Sequence, residues 1–440
     1  MKKFLAALVR YEQPLESVRR AIELCRGLDG LSASDKVFIK PNILTWTRAG
    51  TFPKWGALTT SRVVEDVIVL LKERGVDRIT VAEGMVLPNI KDQETQDDAF
   101  EKLGYNTLKK RYGIKWYSVW ERPFEKVDLG EGLTLGYNAD ALQSDFMINI
   151  PVLKTHNSVK VSLGIKNLKG LLDIPSRKKC HEQDSESNLH TMLAKLPKPL
   201  PPCLTILDGI YTLERGPTWE GSARRSNLLV ASTEILTADM VGAKVLGIAP
   251  GEVPYLVHCA RAQARPFDLS DVEIRGEKIE EAASPHEYRF PYNAEGDLPL
   301  PFDKMGIRGL SYPQMDLTLC TYCSLLSGPI MTSIARAWKG LPWDEVEILT
   351  GKIMEPTPGK NKTILIGKCM YQANKDHPHI REMIAVKGCP PSPRAIIKAF
   401  HQAGIEIDPV ILEHLDNYPV LSMKKYKDNP EFDEAFFKVS

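Results

Sequence analysis

Several common sequence signals are missing from this 440-residue chain. It has no Gly-x-Gly-x-x-Gly and no Walker A sequence, which argues against a standard dinucleotide-binding fold and against an NTPase. Its 57 basic residues nearly balance 56 acidic ones, so no charge excess indicates a nucleic-acid binder. No window approaches about 18 uninterrupted apolar residues, so we expect no membrane span. The short apolar run ending at Arg10 predicts a first strand rather than a secretory segment, and we expect a cytoplasmic protein.

Cysteine is also scarce, with eight residues whose distribution is not that of a disulfide framework. Half of them are scattered, whereas Cys320, Cys323, Cys369 and Cys389 lie close together in the last third. Four thiolates hold either a tetrahedral zinc ion or an iron–sulfur cluster. A second Cys-x2-Cys knuckle, usual in a zinc ribbon, is absent, and a ligand cysteine followed by proline is common around iron–sulfur clusters. The pattern favours a [4Fe–4S] cluster, with zinc, or core cysteines without metal, as the alternatives.

Apolar strands alternate with amphipathic helices through the first part of the chain, as in 36–44 and 60–75. This alternation predicts an α/β fold with a mainly parallel sheet and helices on both faces. We therefore expect an α/β domain over 1–285, a Pro- and Gly-rich linker over 286–315, and a smaller C-terminal iron–sulfur domain over 316–440.

One stretch, 152–172, contains four lysines and a histidine but no acidic residue. Apolar residues alternate with the lysines and do not form a separate face. Because cations in apolar surroundings need a partner, we expect a pocket for a small anionic ligand, a phosphate or a carboxylate. The cations of 177–181 are expected to add to this pocket, and a solvated basic loop is the alternative.

Polar side chains at the ends of predicted strands extend this expected pocket, since ligands bind at the carboxyl ends of parallel strands. The catalytic candidates are His156, Lys166 and Asp208, and the ligand-binding candidates are Lys40, Asn42, Lys154, Lys160, Asn167 and Lys169. A structural role is an equal alternative for His156. Strand-end acids such as Glu83 and Asp208 also cap helices, and Asp239, inside a predicted helix, is expected to pack or cap.

Five segments in the range from about 35 to 265 resemble, in order, the family known as domain of unknown function 362. They are KVFIKPNIL, RITVAEG, VLKTHNSVKVSLGIKNLKG, LTILDGI followed by ERGP, and NLLVASTEILTADMVGAKVLG. The resemblance implies an association with iron–sulfur domains, an anaerobic setting and a redox role, without fixing a reaction. The ferredoxin run Cys-x2-Cys-x2-Cys-x3-Cys is absent, so we expect one cluster with dispersed ligands.

The lysine-rich stretch is also similar to the catalytic domain of lactate racemase-type enzymes. That similarity implies that His156 and Lys166, with His181 or His190 downstream, hold a nickel-pincer nucleotide. Whether a flavin, a corrinoid or a nickel group serves as a second cofactor is left open by the sequence.

Three functions fit these observations. The first is an iron–sulfur oxidoreductase that passes electrons between a [4Fe–4S] cluster and a small anionic substrate or cofactor in the Lys- and His-lined pocket. The second is an electron-transfer or accessory protein that docks a redox protein partner and does no chemistry itself. The third is a non-redox isomerase or transferase with a structural zinc. Visible absorption that bleaches on reduction separates the first two from the third, and binding of a small anion favours the first over the second.

Overall fold

A computed structural model describes residues 3–184 and 188–439, which fold into two compact units. The first unit comprises Met1–Arg177, His190–Tyr288 and Ser422–Ser440, and the second comprises Lys178–Leu189 and Arg289–Leu421. Within the described residues, no helix has both the length and the apolar character needed to cross a bilayer.

A ten-stranded sheet forms the centre of the first unit. The strands of this unit are β1 (Phe4–Arg10), β2 (Lys36–Pro41), β3 (Arg78–Glu83), β4 (Lys115–Ser118), β5 (Phe124–Asp128), β6 (Thr134–Asn138), β7 (Phe146–Ile150), β8 (Val152–His156), β9 (Lys160–Ser162), β10 (Cys203–Glu214), β11 (Ser222–Ser232) and β12 (Val272–Gly276). Eight strands follow the order β12-β1-β11-β10-β7-β2-β3-β4, β8 joins β10, and β9 pairs with β8. Strands β5 and β6 form a separate hairpin.

Most neighbouring strands of this sheet are parallel, as predicted. Two strands of this sheet pair in the antiparallel sense. Strand β11 runs antiparallel to β1 and β10, and β9 runs antiparallel to β8. Strand β7 is buried along its whole length and reads Phe-Met-Ile-Asn-Ile. A run that is almost entirely apolar is typical of a parallel strand covered on both faces.

Helices flank this sheet. They are α1 (Glu16–Cys25), α2 (Ser61–Glu73), α3 (Gln93–Lys102), α4 (Tyr105–Tyr112), α5 (Ala139–Leu142), α6 (Gly164–Asn167), α7 (Ile174–Lys179), α8 (Leu189–Lys195), α9 (Ile235–Val245), α10 (Pro254–Ala262) and α11 (Ile279–Ala282). Helix α2 shows why they form: Val64, Val67 and Leu71 recur at helical spacing, and all three are buried.

The second unit contains a four-stranded parallel sheet in sequential order. Its strands are β13 (Leu310–Ser311), β14 (Val346–Thr350), β15 (Lys362–Ile366) and β16 (Glu382–Val386). Its helices are α12 (Leu300–Lys304), α13 (Thr321–Ser324), α14 (Ser327–Ala337), α15 (Lys368–Asn374), α16 (Pro393–Gln402), α17 (Val410–Glu413) and α18 (Tyr418–Leu421), after which α19 (Glu434–Phe437) belongs to the first unit. Ile348 and Ile364 of the sheet share one buried core with Ile330 and Phe400 of the helices.

This division of the chain differs from the expected one in three places. The expected linker 286–315 belongs to the second unit from Arg289 onward, because Leu298 and Tyr312 are buried in its core. The segment Lys178–Leu189 also joins the second unit, although it lies within the expected first domain. The C-terminal stretch Ser422–Ser440 joins the first unit instead of the expected iron–sulfur domain.

Candidate functional site

Two of the four clustered cysteines lie at the carboxyl edge of the four-stranded sheet. Cys369 follows β15 and Cys389 follows β16. Because these strands are parallel and in register, the two turns leave the sheet side by side. The backbone N–H of Lys368 donates to the carbonyl of Gly388 at 3.0 Å and joins the turns directly.

The Cys-x2-Cys pair reaches the same edge. Cys320 lies at the start of α13, and Cys323 lies inside this helix. The loop that precedes them is held to the turn just beyond β14, because the N–H of Lys352 donates to Thr318 Oγ1 at 2.8 Å. Gly367, at the end of β15, has a positive φ of 98°, and a Cβ added there would lie 3.8 Å from the Cys323 sulfur. The sequence-predicted cysteines therefore meet on three adjacent loops.

The four thiols influence one another's ionisation. A hydrogen bond with Cys320 raises the pKa of Cys323, and burial and the charges on Cys389 and Cys369 raise it further. Burial also raises the pKa of Cys369, where Cys389 and Cys320 add to the effect and Lys352 opposes it. The negative charge of one thiolate disfavours ionisation of its neighbours. Four ionised thiolates at this edge therefore require a positively charged group among them.

The described residues, 3–184 and 188–439, contain no group of three or more His, Cys, Asp or Glu side chains arranged to hold a metal ion. A single zinc ion draws each thiolate to about 2.3 Å, which packs its ligands closely. The four cysteines lie on neighbouring loops at one edge of the sheet.

A basic segment from the middle of the chain also belongs to the unit that holds the cysteines. Lys178 Nζ lies 3.7 Å from Cys389 Sγ and 5.5 Å from the ring centre of Tyr322. His181 Nδ1 lies 3.0 Å from the carbonyl oxygen of Leu317. Sequence reasoning assigned these cations to the anion pocket, and no local pattern in the sequence indicates that they join the cysteines.

In the first unit, the predicted ligand-binding residue Lys40 forms an internal ion pair. Its side chain is fully buried at the end of β2, and its Nζ lies 2.9 Å from Glu83 Oε2 at the end of the neighbouring strand β3. Asn167 Oδ1 accepts a further hydrogen bond at 3.2 Å. Burial lowers the pKa of Lys40, and the Glu83 carboxylate opposes that shift. Lys40 thus neutralises Glu83 instead of facing a ligand pocket.

Two glycines make room for this ion pair. A Cβ on Gly170 would collide with both Glu83 and Lys40, and a Cβ on Gly84 would collide with Arg177. Arg177 in turn donates to the carbonyl oxygens of Gly84 and Gly170 at 2.9 and 2.6 Å. Gly170 in the lysine-rich stretch therefore leaves space for a buried ion pair.

Lys154, in the middle of β8, is 2% exposed and has two neutral partners. Its Nζ donates to Asn42 Oδ1 at 2.6 Å and to the carbonyl oxygen of Ala57 at 2.7 Å. Burial lowers the pKa of Lys154 to about 7, where Glu83 opposes the shift and Lys40 adds to it. A buried amine with this pKa exchanges protons near neutral pH.

The Lys154→Met variant is expected to lose a pH dependence of stability. Between about pH 7 and 10 the unfolded chain keeps the lysine proton and the folded chain releases it, so the free energy of unfolding rises with pH. From about pH 7 to 9 the wild type should gain about 2–3 kcal/mol relative to the variant. Urea unfolding at both pH values measures this, with exposed Lys244→Met as the control. An equal change in the free energy of unfolding in the wild type and the variant would contradict the lowered pKa of Lys154.

Two predicted acids accept backbone N–H groups at or near the start of a helix. Asp208 accepts the N–H of Thr60 at 2.7 Å, just before α2, and the N–H of Ile210 at 3.1 Å. Asp239 accepts the N–H groups of Gly164 and Ile165 at 2.6 and 3.0 Å at the start of α6. Burial raises the pKa of Asp208 to about 6 and that of Asp239 to about 8. Asp239 therefore caps α6, whereas Asp208 binds the backbone just before α2, and its catalytic role stays a prediction.

The other members of the lysine-rich stretch are less deeply buried than Lys40 and Lys154. His156 Nδ1 accepts the Ser158 N–H at 3.1 Å. Lys160 Nζ lies 3.5 Å from Glu252 Oε2. Lys166 is half-buried and Lys169 is 9% exposed. Their catalytic and ligand-binding roles stay predictions.

Comparison with known proteins finds one family and two similar proteins. Residues 37–244 match the family model described as domain of unknown function (DUF362). The thylakoid-associated protein sll1697 of Synechocystis sp. (strain ATCC 27184 / PCC 6803 / Kazusa) is 27% identical over 294 residues, which cover 63% of this chain and 86% of that protein. The lactate racemase apoprotein from Thermoanaerobacterium thermosaccharolyticum matches at a TM-score of 0.33 with 14% identity, over 56% of this chain and 58% of that one.

A TM-score of 0.33 does not establish a shared fold, so the nickel-pincer role of His156 and Lys166 also stays a prediction. The family match is different, because it confirms the resemblance found in the sequence. The matched range includes the Lys40–Glu83 ion pair and Lys154, and it ends before the four clustered cysteines. Residues 37–244 of this chain are therefore similar to the DUF362 family.

Proposed function

We propose that this chain is an iron–sulfur redox protein whose second unit binds one [4Fe–4S] cluster. The proposed ligands are Cys320, Cys323, Cys369 and Cys389. The observation that carries the proposal is the meeting of three cysteine loops at the carboxyl edge of a parallel sheet. Such edges are where α/β sheets bind ligands, and four thiolates are the ligand set of this cluster.

The arrangement of the thiols supports a cluster over a structural zinc. A [4Fe–4S] cluster takes one thiolate on each of four iron atoms, whereas one zinc ion takes all four thiolates itself. Cys389 is followed by two prolines and the sequence has no second Cys-x2-Cys pair, which favours the first case. When bound, the cluster would supply one-electron chemistry, and the protein would supply its binding and its electrostatic environment.

The surroundings of the thiols support electron exchange. Cys369 and Cys389 are exposed, so a cluster held by them would lie close to the surface. Lys178 Nζ is 3.7 Å from Cys389 Sγ, and burial raises the pKa of Cys369 while the charge on Lys352 opposes that rise. Positive charges beside thiolates favour the negatively charged state, so these lysines would stabilise the loaded site.

Of the redox functions, electron transfer is the one that the geometry favours, because Lys40 and Lys154 both have hydrogen-bonding partners inside the fold. A second candidate is an oxidoreductase that acts on a small anionic substrate in the first unit. The pKa of about 7 at buried Lys154 favours that candidate, since it equips this amine for general acid–base catalysis.

We also propose a cytoplasmic location. All eight cysteines are free thiols in the structure, which is typical of a reducing compartment. The relative from Synechocystis is described as thylakoid-associated, so fractionation of cells into cytosol and membranes is the direct test. Recovery of the protein in the membrane fraction would contradict the proposal.

The spectrum of anaerobically purified protein tests the proposed function. Cluster-loaded protein should be brown, with visible absorption that bleaches on dithionite reduction and returns on reoxidation. Binding of phosphate or lactate, followed by isothermal titration calorimetry, separates the two redox candidates, because only the oxidoreductase requires it. A colourless protein with no response to dithionite would contradict both.

A further inference from the structure

The cysteine loops differ in charge from the rest of this nearly neutral chain. All four cysteines lie in three stretches without a single acidic residue, 317–343, 356–375 and 383–405. Each of these stretches carries lysine or arginine residues. The cysteine loops at the carboxyl edge of the four-stranded sheet are therefore basic, and Glu182, which pairs with Lys352 at 3.1 Å, is an acid contributed by another segment.

The geometry brings several of these cations to the two exposed cysteines. Lys368 immediately precedes Cys369 and is exposed. Lys387 is exposed two residues before Cys389, and its Nζ lies 4.3 Å from the ring centre of Tyr371, on the helix that begins beside Cys369. Lys387 thus extends from one cysteine loop towards the helix that follows the other.

These cations are available to an external partner. Lys368, Lys387 and Arg394 are exposed, and none of them forms an ion pair with any carboxylate in the part of the chain that the structure describes. Arg394 also lines an open groove along α16 together with Lys398, His401 and one carboxylate, Glu413. The other cations of the groove consequently lie on the same helix as Arg394, and Glu413 adds one acid to the groove.

The shape of this surface selects the kind of partner. Small ligands are held in concave pockets that enclose most of their surface. Here the cations are exposed and spread over two loops and a helix, and the groove beside them is shallow. An open, basic surface next to exposed ligand cysteines fits a macromolecule that carries the complementary negative charge.

We propose that the surface formed by Lys178, Lys368, Lys387 and Arg394 is the docking site for a small acidic electron-carrier protein. This inference rests on the proposed function, since the carrier exchanges one electron with the cluster. In that exchange one partner loses one electron and the other gains it, and no bond or proton changes place. Complementary charge would speed the encounter and hold the carrier at the cysteine edge.

A small acidic flavodoxin, reduced to its hydroquinone, is a suitable probe. The variant Lys368→Glu/Lys387→Glu reverses two charges of the surface, and Lys244→Glu/Lys304→Glu makes the same change in net charge at two exposed lysines elsewhere. Stopped-flow rates of electron transfer and the flavodoxin affinity are measured at low and at high salt. Iron and sulfide contents are determined for every variant.

The surface variant should react at least about tenfold more slowly than wild type at low salt, and the difference should shrink at high salt as the charges are screened. The control variant should keep the rate of the wild type. Equal electron-transfer rates in the two variants, or rates that do not depend on salt, would overturn the docking surface. If the chain still contains iron in that case, the proposed function stands. A chain that binds no iron would overturn both.

Discussion

The Cys389→Ala variant should lose most of its iron when it is purified without oxygen, and so should Cys320→Ala. Both residues are proposed ligands of the same cluster, and they lie on different loops of the same sheet edge. Cys25→Ala should keep the full iron content, because Cys25 is a buried thiol on α1 of the first unit. Iron and sulfide analysis of the three variants measures the effect.

The loss of iron must be separated from a loss of folding. Cys389 is exposed, so its replacement leaves no cavity in the core of the second unit. Circular dichroism should therefore show nearly unchanged helix content in Cys389→Ala. Full iron content in both ligand variants would rule out the proposed ligand set, and equal iron loss in Cys25→Ala would show that the effect is not specific.

Lys40→Met should lower the free energy of unfolding by about 3–5 kcal/mol, because it leaves the Glu83 carboxylate buried without its charge partner. Both side chains are almost inaccessible to solvent, at 0% and 3% exposure. The exposed pair Arg48–Glu94 provides the matched control, and Arg48→Met should cost at most about 1 kcal/mol.

A second substitution shows whether the charge causes that loss. Lys40→Met/Glu83→Gln removes both charges and should recover a large part of the stability that Lys40→Met loses. Urea denaturation of the wild type, the single variant and the double variant measures the difference. If the double variant is as unstable as the single one, packing and not the uncompensated carboxylate explains the loss.

The sequence predicted the first unit well because its signals are local. The apolar strands at 36–44 and 78–84 and the helix at 60–75 appear at nearly those positions. Lys40 and Glu83 follow neighbouring strands, which already allowed an internal ion pair between them. The parallel pairing of β2 with β3 follows from the helix that connects them.

The sequence could not predict how distant segments join the two units. Lys178–Leu189 and Ser422–Ser440 each join the unit other than the one expected from their place along the chain. Local periodicity reports which face of an element is apolar, but not which surface covers it. The prolines and glycines of 286–315 suggested a linker, although Leu298 and Tyr312 are core residues there.

The cysteine site shows the same limit. The spacing of Cys320 and Cys323 and the Gly-Cys-Pro-Pro turn are local signals, and they are enough to indicate a shared site. The parallel strands β15 and β16 bring Cys369 beside Cys389, and that pairing depends on tertiary packing. Lys178, more than 200 positions away along the chain, could not be assigned to the site from its neighbours in the sequence.

The iron and acid-labile sulfide contents of the anaerobically purified full-length chain test the central claim most directly. One [4Fe–4S] cluster on the four cysteines predicts about four iron and four sulfide per chain, with little zinc. Stoichiometric zinc without sulfide in that preparation would contradict the account.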